Sequence, residues 1–422
     1  MTSTGLLFKV LSVLALLIAF QSSASADPCT YPGKLKDGRA LLPTDESRST
    51  CLATAAFSTE GEGFLPLTPE ELKLGPTTLK IKTDPLHCTY YPMPKGAGLS
   101  LKFFCMITDE NGTLYSSKQE LVPQAVGFNA DLQLLDSSGQ VVSDADGKAI
   151  KGLLLKVKYV SEAGTFKVQK RYREVFTEVA STRILWALGL SADSVYQISK
   201  VICKGCTKDP YTANQTETAT ETNTFLNAGV EYRLGGKAIE RKSDEGFSLA
   251  ELEAGVKDGS SEKQLEHQIF LAAASIINHH NTSSTRQNTL KCPPSAQNSA
   301  TLECSRPVAL FDDVGSTFGG KKRFLWDDHP RGDYSKFKKH SALKDCQFAV
   351  KGPTITNLTP AGQSEFIRRS ANLTPEHVQA IAAGARLDLM DEKNAGTGKK
   401  ALKNWSDKIS SLVNEIKTAK CN

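Results

Sequence analysis

Chemistry in this chain starts with two lysines. In LLLKVKYV the apolar run Leu153 to Leu155 leads into Lys156 and Lys158, with Val157 between them, so a strand here carries both ammonium groups on one face. Downstream, Glu174 and Glu178 stand four apart in a segment where Phe176, Val179, Ala180, Ile184, Leu185 and Leu188 recur at helical spacing. A helix carboxylate that faces a strand lysine orients an otherwise mobile ammonium, and such a pair suits the phosphates of a nucleotide. Surface lysines on an edge strand beside a solvated helix face would give the same letters.

A second acidic pair, Asp312 and Asp313, ends the run VALF just before the glycine-punctuated VGSTFGG. Carboxylates at the end of a buried strand are costly without a cation, and a divalent metal is one partner; a turn with a helix cap is the other reading. Between these groups lie His279 and His280 at the end of a long apolar helix, then Gln287 and Asn288, polar groups able to hold a metal or phosphate. Basic and aromatic residues alternate from 321 to 345, a pattern that suits an acidic partner or, more commonly, a solvated loop. Arg331-Gly332-Asp333 alone is too short to support adhesion. No GxSxG or HExxH occurs, and seven histidines without ligand spacing give a hydrolase little support.

The elements that must position these groups follow from periodicity and punctuation. LKIK, HCTYY and LKFFCMI between Thr78 and Thr108 read as short strands, with a turn over Pro92 to Gly98. Gly96 and Gly98 would let backbone amides approach a phosphate, although an ordinary hairpin turn uses the same residues. Residues 109 to 151 carry Asn111-Gly112, Ser138-Gly139 and Asp146-Gly147, which predict an inserted hairpin or two; Asp144 and Asp146 lack the downstream ligands of a calcium loop. Val195 to Cys203 and Tyr232 to Lys242 read as strands. Helices are expected after Ser248, over Ser261 to His279, and over Thr359 to Asn372, Thr374 to Met390 and Lys400 to Ala419. Residues 27 to 75 read as a loose N-terminal segment, apart from a helix start at TPEEL.

Charged residues are 23% and hydrophobic ones 40%, the balance of a soluble globular protein, and a net charge of +5 is too mild to imply nucleic acid. Lys9, the apolar stretch Val10 to Phe20 and Ala24-Ser25-Ala26 fit a signal peptide over residues 1 to 26, so the chain is expected to be exported, to periplasm or extracellular space, with no membrane span after cleavage. Ten cysteines then read as disulfides, with Cys29–Cys51, Cys88–Cys105 and Cys292–Cys304 as local pairs. Cys203 and Cys206 are expected to bridge each other or distant partners such as Cys346 and Cys421, in preference to half a zinc site or a redox pair.

Taken in order, the strand lysine, helix glutamate, IERK strand, polar loop after a long helix and Asp-Val-Gly strand end resemble the protein-kinase-like fold. The chain is also similar to a group of exported bacterial proteins with motifs KVKY, EVAATRLLWALGF, CxGC, IERK, HTDNKPEQQRL and DLGATFG. Its counterparts are Lys156 to Tyr159, Glu178 to Leu190, Cys203 to Cys206, Ile239 to Lys242, His280 to Leu290 and Asp313 to Gly319. The resemblance spans roughly Cys88 to Met390.

It implies an α+β, disulfide-bonded, two-lobed domain: a β-rich lobe over 76 to 243 containing the helix 171 to 189 and inserted hairpins, and a mainly helical lobe over 244 to 422. It implies that ATP is bound with Mg or Mn, that Lys156 or Lys158 meets the phosphates with Glu178 orienting it, and that Ile239 to Lys242, including Glu240 and Lys242, approaches the adenine edge. Asp313, with Asn288, would hold the metal. The chain departs from the pattern at the catalytic loop. Where the family has an acid two residues after the histidine, this chain has Thr282, and no acidic residue occurs between Glu266 and Glu303. Neither Asn281 nor Thr282 can serve as general base near neutral pH; His279 or His280, the latter the candidate catalytic residue, could substitute, although a histidine at a helix C-terminus more commonly caps carbonyls. The expectation is therefore a nucleotide- and metal-binding protein with weak or lost phosphotransfer to a hydroxyl. A non-enzymatic pseudokinase or an exported structural or interaction protein with a protein partner is the alternative.

Overall fold

The computed structural model describes residues 27–58, 64–81, 84–93, 100–169, 172–212, 219–240, 246–257, 259–280, 282, 288–319, 331–350 and 356–421. Expectations for the leader, for Gly96 and Gly98, and for Lys242, Asn281 and Gln287 therefore lie outside the described residues. The fold is a mixed α+β one in which strands and helices segregate along the chain.

The first described stretch is better ordered than its Pro- and Gly-rich sequence suggests. Helix α1 (Asp45–Thr54) is capped by Thr44, and α2 (Pro69–Leu74) carries a full capping box between Thr68 and Glu71. Cys51, Phe57 and Leu72 are buried in the larger core, and backbone bridges join Ala56 to Val308 and Thr30 to Glu303. Burial of these apolar groups against the helical part, rather than local propensity, orders the segment.

Five strands form a closed barrel: β1 (Leu86–Tyr91), β2 (Lys102–Thr108), β3 (Leu154–Lys158), β4 (Ser194–Lys204) and β5 (Thr222–Tyr232). Their spatial order is β1-β2-β3-β5-β4, antiparallel throughout except that β1 and β4 pair in parallel to close the ring. Alternate side chains Leu155, Val157 and Tyr159 fill the interior with Phe103 and Phe225, whose ring centroids are 4.8 Å apart. The odd-numbered positions of this strand thus face inward, and Lys156 and Lys158 face out of the barrel.

Between β2 and β3, residues 109 to 152 make the expected hairpin insertion around a small core of Leu114, Val122, Leu134 and Val142. Four of its turns are fixed by an Asx side chain that accepts from amides two and four residues on, those of Asp109, Asn129, Asp136 and Asp144. Asp144 and Asp146 are thus part of a turn.

Helix α3 (Glu174–Ala187) follows β3 and packs between the barrel and the helical part. One expected strand, Tyr232 to Lys242, is divided: β5 ends at Tyr232 and the chain resumes as β6 (Lys237–Ala238) in a second sheet with β7 (Asn288–Cys292) and β8 (Val308–Phe311). Gly236 causes the break. It adopts φ +119, and a Cβ there would lie 2.3 Å from the Cys292 carbonyl oxygen.

The helical part comprises α4 (Leu249–Lys257), α5 (Ser261–Ile276), α6 (Pro360–Arg369), α7 (Pro375–Gly384) and α8 (Gly398–Thr418). Ser260, Thr359 and Thr374 cap the starts of α5, α6 and α7. Helix α5 stops short of His279 because Asn278 takes the left-handed conformation, φ +49. Fully buried Trp405, Phe337 and Phe318 meet at the centre of this part, each contributing on the order of 2 kcal/mol by burial. No helix among the described residues is long and apolar enough to cross a membrane.

Five disulfides close: Cys29–Cys51, Cys88–Cys105, Cys203–Cys206, Cys292–Cys304 and Cys346–Cys421. The three local pairs read from sequence are among them, and the CxxC is bridged within itself.

Candidate functional site

The outward lysines of β3 meet the carboxylates of α3 across a buried seam. Lys158 donates to both oxygens of Glu178, at 2.8 and 2.7 Å, and to Glu174 Oε1 at 2.9 Å. Lys156 lies opposite Glu231 of β5 in the ladder and pairs with it, while Glu231 is also 3.8 Å from Lys158. Of the two lysines, Lys158 is therefore the one placed against Glu178.

Glu174 has the richer set of partners. Its Oε2 accepts from Ser100 Oγ at 2.6 Å and pairs with Arg331, so one carboxylate joins the start of β2, the end of β3 and the chain after Asp313. Arg331 is only 6% exposed, as is its neighbour Asp333 at 5%; the reading of this part of the basic run as a solvated loop is wrong here. The physical reason is the buried carboxylate of Glu174, whose desolvation demands a cation that sequence periodicity does not reveal.

Helix α3 is tied along the same face to the segment after β8. Thr177 Oγ1 donates to the Gly315 carbonyl at 2.7 Å, and the Ser181 and Thr317 hydroxyls lie 2.8 Å apart. Gly315 permits this approach, since a Cβ there would sit 2.2 Å from Glu174 Cγ. Asp313, partly exposed, accepts from the Gly315 amide at 3.0 Å. Glu174, Glu178 and Asp313 each offer a carboxylate oxygen, all within 4.8 Å of one another. Such oxygen donors suit a hard divalent cation, although two of the three are now engaged by Lys158 and Arg331.

Electrostatics divides the carboxylates. Burial pushes Glu178 up, to about 8, because the carboxylates of Glu231, Asp313 and Glu174 reinforce burial against the single opposing ammonium. Burial acts on Glu174 too, but Lys158 and Arg331 outweigh it and hold that carboxyl well below the usual range. Glu231 is likewise lowered, by Lys156 and Lys158 against burial. Lys158 is raised well above its ordinary value: burial opposes the charge, and Glu174, Glu178, Asp313 and Glu231 override it.

The remaining sequence candidates scatter around this seam. Asn288 is buried at the start of β7, where its Nδ2 donates to the carbonyls of Phe247 at 2.9 Å and Thr282 at 3.0 Å. In the ladder it faces Phe311, two residues before Asp313. The backbone N–H of His280 donates to Ser316 O at 3.1 Å, and its side chain is buried. His279 packs edge-on to Phe311, and burial pulls its pKa down to about 4. Glu240 is half-buried two residues beyond β6, a strand of the second sheet, whereas Lys158 belongs to the barrel.

A second ionic group sits where the chain crosses from barrel to helical part. Asp193 Oδ1 accepts from the Leu234 amide at 2.7 Å, and Lys291 Nζ donates to the Leu234 carbonyl at 3.0 Å and reaches Asp193 at 3.5 Å. Both polar groups of the Leu234 residue are thus held by one side-chain pair.

Sequence reasoning missed Glu231, Arg331, Asp193 and Lys291. A charge inside the apolar LNAGVEYRL marked Glu231, but nothing local marked the others.

No family model and no curated protein matches this chain. Among solved structures it is similar to the crystal structure of a Helicobacter pylori proinflammatory kinase, CtkA, at 9% identity and a TM-score of 0.40, over 78% of this chain and 95% of that one. The match is weak and partial, and it concerns a protein-kinase-like fold.

Proposed function

We propose that this chain is an exported kinase-like protein that binds a nucleotide with a divalent metal and whose phosphoryl transfer to a hydroxyl is weak or lost. The observation that carries the reading is the buried Lys158–Glu178 pair, joining the third strand of the barrel to the helix that follows it, with Asp313 at the same cluster. A strand lysine oriented by a helix glutamate beside a metal-binding aspartate is the arrangement that phosphoryl-transfer sites use. Mg or Mn would be held by Asp313 with a helix carboxylate and would neutralise phosphate charge. Lys158 would meet the phosphates once its contacts to Glu174 loosen.

On the motif resemblance, Thr282, which is buried, stands where the family has its general base, so transfer would depend on His280. A second reading, a non-enzymatic pseudokinase or interaction protein, is favoured by the saturation of Lys158: a 4% exposed ammonium with two carboxylate partners already has its hydrogen bonds.

Thermal stability of the mature protein with ATP and Mg or Mn, against Asp313→Ala, separates these readings. A ligand that binds only the folded state must raise the melting temperature at saturation. A shift in wild type that the variant loses supports the proposal; no shift at millimolar nucleotide rejects nucleotide binding and leaves the interaction reading.

A further inference from the structure

Two disulfides touch inside the barrel. Cys88 of β1 bridges Cys105 of β2, and Cys203 at the end of β4 bridges Cys206. All four residues belong to the same buried core, and Cys88 lies directly opposite Cys203 in the parallel ladder. Across the two bridges, Cys105 Sγ is 3.7 Å from Cys203 Sγ, which is van der Waals contact between sulfurs, and the Sγ atoms of Cys88, Cys105 and Cys203 all lie within 4.8 Å of one another. A thiolate released at Cys203 would have the Cys105 sulfur as its immediate neighbour.

We infer that the two bridges are one exchangeable unit, and that a vicinal dithiol acting on the CxxC moves the bridge to Cys105–Cys203. The chemistry balances in three steps. A thiolate of the dithiol attacks Cys206 Sγ, forms a mixed disulfide and expels Cys203 as thiolate. Cys203 attacks Cys105 Sγ, forming Cys105–Cys203 and expelling Cys88, which takes up a proton. The second thiol of the reagent then displaces Cys206 as a thiol and leaves as the cyclic disulfide. The net change is one two-electron reduction, which converts two bridges into one and frees Cys88 and Cys206.

Three features favour this path over simple opening of the CxxC. Lys204 and Gly205, between the two cysteines, are exposed and half-exposed, so the turn at the end of β4 is where a reagent enters by local opening. The sulfurs themselves are buried, so a released Cys203 thiolate meets protein sulfur before solvent. The new bridge would join β2 to β4 across β1, and the β1–β2 hairpin would lose its covalent tie. None of these features depends on nucleotide binding.

The test is limiting reduction of the wild-type mature protein with one equivalent of dithiothreitol, followed by alkylation and tryptic mapping without further reduction. Cleavage after Lys204 places Cys203 and Cys206 on separate peptides. The expected products are alkylated Cys88 and Cys206 with a Cys105–Cys203 cross-linked peptide. Alkylated Cys203 and Cys206 with Cys88–Cys105 intact would overturn the inference. A second measurement needs no reductant: in Cys88→Ser, Cys105 starts unpaired and is expected to attack Cys203, so that Cys206 is the residue alkylated. Alkylation of Cys105 with Cys203–Cys206 intact would contradict the exchange.

Discussion

Lys158 donates to both carboxylate oxygens of Glu178, at 2.8 and 2.7 Å, with both residues buried. Burying the pair is not free, and its geometry offsets the cost only while each partner remains. Lys158→Met would leave Glu174, Glu178 and Glu231 facing one another, so it is expected to cost about 3–5 kcal/mol in chemical denaturation. Glu178→Gln keeps the shape and hydrogen-bonding capacity and is expected to cost less than half of that. Equal losses would mean that the four groups do not act as one charge cluster.

The same site sets a pH dependence. Folding raises the Glu178 carboxyl from its ordinary 4.5 to about 8, so between those values the folded chain holds a proton that the unfolded chain has released. Its contribution is intact below pH 4.5 and gone above pH 8. Wild type should therefore lose stability relative to Glu178→Gln as pH rises through this window, by up to roughly 1.4 kcal/mol per pH unit. Parallel denaturation curves at several pH values check this; a constant difference would refute it.

Arg331 should hold the chain after Asp313 against α3. In Arg331→Met, Glu174 keeps Ser100 and Lys158 but loses a buried cation, and the Gly332 amide, bonded to the Thr317 carbonyl at 3.0 Å, is expected to exchange faster with solvent deuterium. Unchanged protection at Gly332 would show that Arg173, which donates to the Gly332 carbonyl at 2.9 Å, is sufficient alone.

Asp193→Ala removes the acceptor of the Leu234 amide and leaves Lys291 without its carboxylate. About tenfold faster exchange at Leu234 is expected, the equivalent of about 1.4 kcal/mol, with smaller changes in the barrel interior. Site-resolved hydrogen exchange reads both.

Loop length ranks the bridges. Cys346–Cys421 spans 75 residues, and its removal by Cys346→Ser is expected to cost about 4 kcal/mol, more than the loss of the short Cys292–Cys304 loop of 12. Melting of the two variants under identical conditions gives the order.

Much of this architecture was legible because it is local. Alternation gave β3 its two faces, helical spacing put Glu174 and Glu178 on one side of α3, and Thr359 and Thr374 announced their helices. Gly235-Gly236 was visible yet absorbed into a continuous strand, because a positive φ next to Cys292 is a tertiary fact. Arg331 and Lys291 were illegible for a deeper reason: a cation within a polar stretch looks solvated until its buried carboxylate is known, and Glu174 and Asp193 lie far from them in sequence. The same limit applies to the contact between Cys105 and Cys203, which only the parallel closure of the barrel creates.

That closure also limits how another molecule can attach. An open sheet ends in strands whose outward amides and carbonyls lack ladder partners, and extended peptides bind there by adding a strand. In this barrel β1 and β4, the two strands that would otherwise be outermost, spend those groups on each other over Leu86–Thr89 and Val201–Lys204. Strand addition by a passing peptide is therefore unavailable along that seam, and so is the edge-to-edge stacking that starts many β-sheet aggregates. Along that seam a protein partner must instead grip side chains.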